Sequence, residues 1–169
     1  MKVLDVDIKV KDSLIGGVIN GVINGYIASH HFKGMDSVPM SLNVITNSEV
    51  TVWGQAVSLT FGLGIILSLI TSKLFIHQLN KSHPQHISQL QSGFWSHLVP
   101  IAVTHAAALF GWFVAIAVIW TKYAGEVMVS SSSAVALVGL FAFIITIAVE
   151  VRTKKSIIYK KINLLEQPQ

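Results

Sequence analysis

The chain has 169 residues, of which 52% are hydrophobic and only 12% are charged, and its mean hydropathy is +0.63. About a quarter of the residues of a soluble domain are charged, so a soluble fold of this length has too little polar surface to cover so much apolar material. A lipid environment accounts for this composition. Because the chain has no cysteine, disulfides, thiolate metal sites and cysteine nucleophiles are excluded.

Charged residues divide the sequence into four uncharged windows, each close to the ~20 apolar residues that a membrane-spanning helix requires. They predict an all-α fold, an integral membrane four-helix bundle with short loops and an amphipathic C-terminal helix. The predicted spans are 13–32, 50–72, 98–120 and 127–150. The remaining predicted segments are an N-terminal segment at 1–12, an outer loop at 33–49, a cytoplasmic connection at 73–97, an outer turn at 121–126 and a tail at 151–169.

The first span opens with the unusual stretch GGVINGVINGYIASHH, which begins at Gly16. On a helix its small and amide-bearing residues fall within an arc of about 140°, while bulky aliphatic residues occupy the opposite side. In a bilayer the small face is expected to pack on other helices and the aliphatic face to contact lipid. A signal peptide is the alternative for this segment, but glycine and asparagine interrupt its apolar core.

Two segments outside the spans are predicted to lie at the membrane surface. Pro84 is expected to start an interfacial helix within 73–97, with Ile87 and Leu90 on its apolar side. Residues 151–169 place Ile158 and Ile162 among lysines and predict a basic amphipathic helix that binds anionic lipids. A solvated tail is the alternative for the second segment.

Lysine and arginine are distributed unequally between the two sides of the predicted bundle. One side receives ten: Lys2, Lys9, Lys11, Lys73, Lys81, Arg152, Lys154, Lys155, Lys160 and Lys161. The other side receives Lys33 and Lys122. This bias predicts a multi-pass protein of the inner (plasma) membrane with both termini in the cytoplasm. Because the basic residues flank the spans, nucleic acid is not expected as a partner.

Small residues at four-residue spacing permit the close backbone approach by which helices associate in lipid. The residues that this spacing assigns to helix packing are Gly17, Gly21 and Gly25 on the first span and Gly54, Ser58 and Gly62 on the second. Their stripes suit packing inside the bundle and packing against a neighbouring subunit. The expected partners are therefore the lipid bilayer and either a second copy or another membrane protein.

One ionisable side chain, His105, lies deep within a predicted span, about 10 Å from its cytoplasmic edge. Residues of similar depth on the other spans are predicted to form a polar pocket with it: Asn20, Asn24, Thr104, Thr146 and Glu150. An ionisable group inside a membrane is by default a candidate functional site. The alternative is that the imidazole only locks the bundle by hydrogen bonding.

The sequence contains no phosphate-binding glycine loop, no zinc-protease signature and no nucleophile elbow. An enzyme, a cofactor and a metal site are therefore not expected. The layout resembles that of small four-span inner-membrane proteins in general, and no motif identifies a family. Two functions remain open: a homo-oligomeric permeation or transport subunit with a polar pocket in the cytoplasmic half, and a membrane interaction protein (a sensor, immunity or assembly partner) whose polar stripes only pack helices.

Overall fold

The protein was analysed as a computed structural model, which describes residues 10–42, 50–82 and 94–165. The described chain forms α1 (Val10–His31), β1 (Ser37–Met40), α2 (Val52–Ser82), α3 (Phe94–Ala124), β2 (Val127–Ser130) and α4 (Ser131–Leu165). The prediction of a predominantly helical chain is confirmed. The predicted interfacial helix at Pro84 and most of the predicted N-terminal segment lie outside the described residues.

The four helices pack in the spatial order α1, α4, α2, α3. α1 and α4 are antiparallel, because Gly17 lies beside Ile147 whereas Gly25 lies beside Val135. α2 and α3 are also antiparallel, with Gly64 against Ala106. The described chain therefore begins and ends at the same end of the bundle, which is called the tail end; the opposite end, which carries β1 and β2, is called the sheet end.

The order helix, strand, helix occurs twice along the chain, as α1–β1–α2 and as α3–β2–α4. The first helix of each half packs on the second helix of the other half, and the two second helices, α2 and α4, pack on each other at the centre. The strands pair antiparallel, with Val38 opposite Val129 and Met40 opposite Val127. The two halves are therefore interlocked, a relationship that the sequence analysis does not predict.

The sheet end differs from the predicted loops in having ordered strands. Residues 127–130 were expected to begin the fourth span, but they form β2, and α3 extends through most of the expected outer turn to Ala124. Valines at Val127 and Val129 favour a strand, and Gly125, with a φ of 69°, supplies the left-handed residue that ends α3. Phe32, Val38 of β1 and Val52 are fully buried at this end.

Hydroxyl side chains define where α2 and α4 begin. Thr51 Oγ1 accepts a hydrogen bond from the backbone N–H of Gly54 at 3.0 Å, which caps α2. Ser130 Oγ accepts one from the backbone N–H of Ser133 at 3.3 Å, which caps α4. Ser130, the first of the four consecutive serines, is therefore explained by its role as the N-cap of α4.

At the tail end, α2 and α4 continue well beyond the predicted spans. α4 is one uninterrupted helix of 35 residues through Leu165, whereas the sequence analysis predicted a separate amphipathic helix from residue 151 onward. The reason is that this extension has its own packing partners: Ile157 is buried with Phe75, Leu79 and Leu98. The part of the predicted tail up to Tyr159 thus belongs to the bundle.

Within the described residues, three helices are long and apolar enough to cross a membrane: Val52–Leu79, Leu98–Ala124 and Ser131–Tyr159. α1 is not in this group, although it was predicted to span. Its glycines and its asparagines, Asn20 and Asn24, lower its hydropathy. Three helices of this length and hydropathy are compatible with the predicted multi-pass membrane protein.

Candidate functional site

A cluster of four polar side chains lies between α2, α3 and α4, in their tail-end halves. His105 Nδ1 is 3.3 Å from Thr153 Oγ1, and His105 Nε2 is 3.1 Å from Ser156 Oγ. Thr153 Oγ1 is also 2.9 Å from Ser68 Oγ. Ser68 and Thr153 are completely buried, and His105 is 7% exposed. These four residues are called the His105 cluster.

Helical spacing brings the cluster together. On α2, Thr60, Gly64, Ser68 and Ser72 follow one another at four-residue intervals and are all buried. On α4, the buried residues Val149, Thr153 and Ile157 continue the same buried face past Glu150. The close approach of α2 and α3 at Gly64 and Ala106 lies one turn from Ser68 on α2 and directly beside His105 on α3. Small residues at the crossing therefore bring the polar side chains within hydrogen-bonding distance.

The cluster forms a continuous chain of hydrogen bonds from Ser68 through Thr153 and His105 to Ser156. Each hydroxyl can donate or accept, and one imidazole nitrogen donates while the other accepts in the neutral ring. When the neutral ring changes tautomer and the hydroxyls rotate, the donors and acceptors along this series of hydrogen bonds can therefore exchange roles. Such a chain is able to pass a proton, and it is equally able to hold three helices together.

The structure does not bring the two asparagines to His105. Asn24 is buried on the α4 side of α1, and its Nδ2 donates to the backbone oxygen of Asn20 at 2.9 Å. Both lie at the level of Gly139 on α4, because Gly21 and Gly25 contact that residue. Thr153 is 14 residues further along α4, which is about 21 Å at the helical rise.

The other predicted pocket residues also lie outside the His105 cluster. Thr104 is exposed beside His105. Thr146 is buried, and its Oγ1 donates to the backbone oxygen of Ala142 in its own helix at 2.7 Å. Glu150 lies against α1, where a Cβ on Gly16 would be 2.7 Å from its Oε1. Thr146 and Glu150 thus lie at the contact of α4 with α1, His105 lies at the contact of α4 with α2 and α3, and Thr104 belongs to neither.

A second polar contact joins α1 to α4 near the tail end. Lys154 Nζ is 3.6 Å from Glu150 Oε2 and 3.4 Å from the Oγ of the fully buried Ser13. Gly16 leaves the space that the Glu150 carboxylate occupies. The contact therefore satisfies the charge of a partly buried glutamate and at the same time fixes the start of α1.

The residues predicted to pack helices lie in a helix contact on α1, whereas on α2 most of them are exposed. On α1, Gly17 and Gly25 are buried and Gly21 is half-buried, and all three face α4. On α2, Ser58 and Gly62 are exposed and no atom approaches within 4 Å of a Cβ built on Gly62. Gly54, the third member of the α2 stripe, is half-buried and takes part in the cap by Thr51. Gly64, which was not predicted, contacts α3 at Ala106.

Ser68, Thr153 and Ser156 are the residues of the cluster that the sequence analysis does not identify. The signal for Ser68 is its four-residue spacing from Gly64 and Ser72. Thr153 lies beyond Glu150 and Arg152, charged residues that were taken to end the span. Extending the apolar face of α4 by two more turns would have included both Thr153 and Ser156.

Within the described ranges, no group of three or more histidine, aspartate or glutamate side chains is arranged to hold a metal ion. No protein-family model, curated protein or solved structure matches the chain. The functional interpretation therefore depends on the His105 cluster and on the surfaces of the four helices.

Proposed function

We propose that the chain is a multi-pass membrane protein in which α1 is a fourth span. The support is the distribution of side chains around α1. Its exposed side carries bulky aliphatic residues such as Ile15, 62% exposed, and Val22, 67% exposed, whereas Gly17 and Ala28 are buried. An exposed aliphatic face is unfavourable in water and suited to acyl chains, while the small face suits close helix packing in lipid.

In this proposal the tail end faces the cytoplasm, and the membrane is the inner (plasma) membrane. Among the described residues, the tail end carries eight lysine and arginine residues: Lys11, Lys73, Lys81, Arg152, Lys154, Lys155, Lys160 and Lys161. The sheet end carries Lys33 and Lys122. Both termini then lie on the cytoplasmic side. The exposed Arg152 and Lys155 are suited to bind anionic lipid headgroups there.

The function proposed is that of a permeation subunit, and the observation that carries it is the His105 cluster. A titratable imidazole and three hydroxyls, connected by hydrogen bonds, occupy the part of the bundle that would lie in the cytoplasmic half of the membrane. Ionisable groups at such depth are rare and mark ion and proton pathways. The imidazole is the titratable member of the His105 cluster.

The helix contacts favour a path between copies of the chain over a wide pore within one copy. A Cβ on Gly64 would be 2.9 Å from Ala106 Cα, and a Cβ on Gly139 would be 2.9 Å from the backbone oxygen of Gly21. Backbones this close leave no space for a solute between these helix pairs. A homo-oligomer is therefore part of the proposal: solutes pass between copies, whereas the His105 cluster, which is buried inside one copy, conducts protons.

The test is a flux assay with the purified protein in liposomes that contain the pH dye pyranine. With potassium and valinomycin to balance charge, we expect proton influx above that of protein-free liposomes. His105→Gln should remove this influx and leave the assembly intact, because glutamine retains hydrogen bonding but cannot titrate. His77→Gln is the matched control, since His77 is exposed on α2. Osmotic swelling in glycerol and urea tests neutral solutes in the same vesicles.

Flux that is equal in wild type and in His105→Gln would contradict a role of His105 in permeation. Absence of proton and solute flux in correctly oriented, oligomeric protein would contradict the permeation function itself.

The second candidate is a membrane interaction protein, and a specific observation favours it. Both ring nitrogens of His105 have hydroxyl partners within the same chain, as expected for a residue that only braces the bundle. In that case the exposed apolar faces serve a protein partner, and silence in the flux assay would be accompanied by a specific protein that co-purifies from membranes.

A further inference from the structure

A cavity of about 500 Å³ lies at the sheet end, on the side of α3. It is bounded by the chain that follows β1, by the last turns of α3 and by the connection to β2. Its lining residues are Ser41, Leu42, Val118, Thr121, Lys122 and Glu126. It is separate from the His105 cluster, which lies toward the opposite end of the bundle.

The cavity is lined by one cation and one anion that are not paired with each other. Among the described residues, neither Lys122 nor Glu126 forms a salt bridge. The ammonium of Lys122 lies 5.8 Å from the centroid of the Tyr123 ring, a cation–π contact. Gly125, with its φ of 69°, ends the helix between the two charged residues, so they do not share a helix face. Both charges remain available to a ligand.

A buried hydroxyl provides an independent observation. Ser41 is only 2% exposed, and its Oγ has no hydrogen-bond partner among the residues that the structure describes. Leaving a buried hydroxyl unsatisfied costs about 1–3 kcal/mol, and such groups are few in native structures. Ser41 lines the cavity, so a polar group bound there offers the missing partner. Thr121 adds a second hydroxyl, although its Oγ1 already donates to the backbone oxygen of Ala117 at 2.8 Å.

The position of the cavity along α3 indicates which molecule meets it. Lys122 lies two residues before the end of the candidate span Leu98–Ala124. Trp120 and Tyr123 are exposed beside it, and exposed aromatic residues of this kind are enriched at the level of lipid headgroups. Val118, one turn deeper, supplies an apolar wall. A molecule with a polar end above an apolar end fits this gradient.

We propose that the cavity binds a zwitterionic phospholipid headgroup of the phosphoethanolamine type. The phosphate lies at Lys122 and the two hydroxyls, the ammonium lies at the Glu126 carboxylate, and the lipid chains run past Val118. This inference depends on the membrane placement proposed above. Soluble O-phosphoethanolamine carries the same two charges, so the headgroup chemistry alone does not decide between a lipid and a free metabolite.

The experiment is native mass spectrometry of the purified protein in detergent with equimolar phosphatidylethanolamine and phosphatidylglycerol. We expect wild-type protein to retain phosphatidylethanolamine about tenfold more strongly, the discrimination that one charge-assisted hydrogen bond provides. Glu126→Gln should abolish the preference. The variant lacks the carboxylate that binds the ammonium group of phosphatidylethanolamine, and phosphatidylglycerol, which has no ammonium group, no longer faces a negative charge. Lys122→Ala should weaken the retention of both lipids, because both carry the phosphate.

Lys33→Ala and Asp36→Asn are the matched controls. Both residues are exposed charges at the sheet end that do not line the cavity, so the preference should persist. Displacement by millimolar O-phosphoethanolamine would assign recognition to the headgroup from either source; retention despite it would assign the site to the lipid alone. Equal retention of the two lipids by wild type, or an unchanged preference in Glu126→Gln, would overturn the proposal.

Alkaline carbonate extraction distinguishes a failure of the proposed headgroup site from a failure of the proposed membrane placement. Protein that resists extraction but shows no lipid preference contradicts the headgroup site only. Protein that is extracted contradicts the membrane placement on which the headgroup site depends.

Discussion

Gly21 and Gly139 are in reciprocal backbone contact: a Cβ on Gly21 would be 3.0 Å from the carbonyl oxygen of Gly139, and a Cβ on Gly139 would be 2.9 Å from that of Gly21. A side chain at either position would therefore press on the backbone of the other helix. The contact lies where α1 crosses α4, the helix that forms its main contact with the bundle. The attachment of α1 thus depends on two residues that have no side chain.

Replacing Gly21 with leucine should force α1 away from α4, because backbone atoms cannot move aside as a flexible side chain can. We expect loss of folded yield and of detergent-resistant assembly, measured by size-exclusion chromatography. Gly111→Leu is the control, since no atom lies within 4 Å of a Cβ on Gly111. Wild-type behaviour of the Gly21 variant would mean that α1 does not pack through this face.

Two glycines on α2 provide a matched pair. Gly64→Ala places a methyl group 2.9 Å from Ala106 Cα, whereas Gly62→Ala places it in open space. We expect the first to lower the free energy of unfolding by about 1–3 kcal/mol through overpacking and the second to leave it unchanged or raised. Thermal unfolding in detergent measures both. If Gly62→Ala were the more destabilising variant, the contact with α3 would have to lie on the Gly62 side of α2.

Thr153→Val removes the hydroxyl that connects Ser68 to His105 while keeping the shape of the side chain. Two hydrogen bonds between helices are lost, and at about 0.6 kcal/mol each we expect a loss of about 1 kcal/mol. Adding His105→Leu should cost less in this background than in wild type, because the two residues share a bond. Fully additive effects in this double-mutant cycle would show that the two side chains do not interact.

Glu150→Gln breaks the ion pair with Lys154 but keeps the size of the side chain. The two side chains are only 15% and 14% exposed and lie one turn apart on α4, so removing the carboxylate leaves the largely buried Lys154 without its counter-charge, and we expect a loss of about 1–3 kcal/mol in the free energy of unfolding. The loss should change little as salt is raised, since a buried pair is screened much less than an exposed one. A loss below about 0.5 kcal/mol that disappears at high salt would show instead that the pair behaves as a solvated surface pair.

The sequence is sufficient to predict most of the helical content and the small face of α1. α1 is predictable because its small residues and its bulky residues lie on opposite sides. α2 is different, since small residues occur both at Gly54, Ser58 and Gly62 and along the face of Gly64 and Ser68. Either face permits close approach, so only the neighbouring helix decides which one is used.

The His105 cluster could be predicted only in part. His105 is recognisable as an ionisable residue in an apolar segment, but its partners lie beyond Glu150 and Arg152 on α4. Charged residues end a span when the helix end meets water; here the helix continues and packs Thr153 and Ile157 on other helices. The pairing of β1 and β2 joins residues about 90 positions apart, which local patterns do not reveal.

The central claim, that α1 is a membrane-spanning helix with its aliphatic side in lipid, has a direct test. The chain contains no cysteine, so a single Val22→Cys substitution can carry a nitroxide label on an otherwise native background. Accessibility to oxygen and to a water-soluble nickel complex is then measured by electron paramagnetic resonance in liposomes, with Ala28→Cys as the buried control. High oxygen and low nickel accessibility at position 22 is the expected result. High nickel accessibility there would place α1 in water and contradict the four-span arrangement.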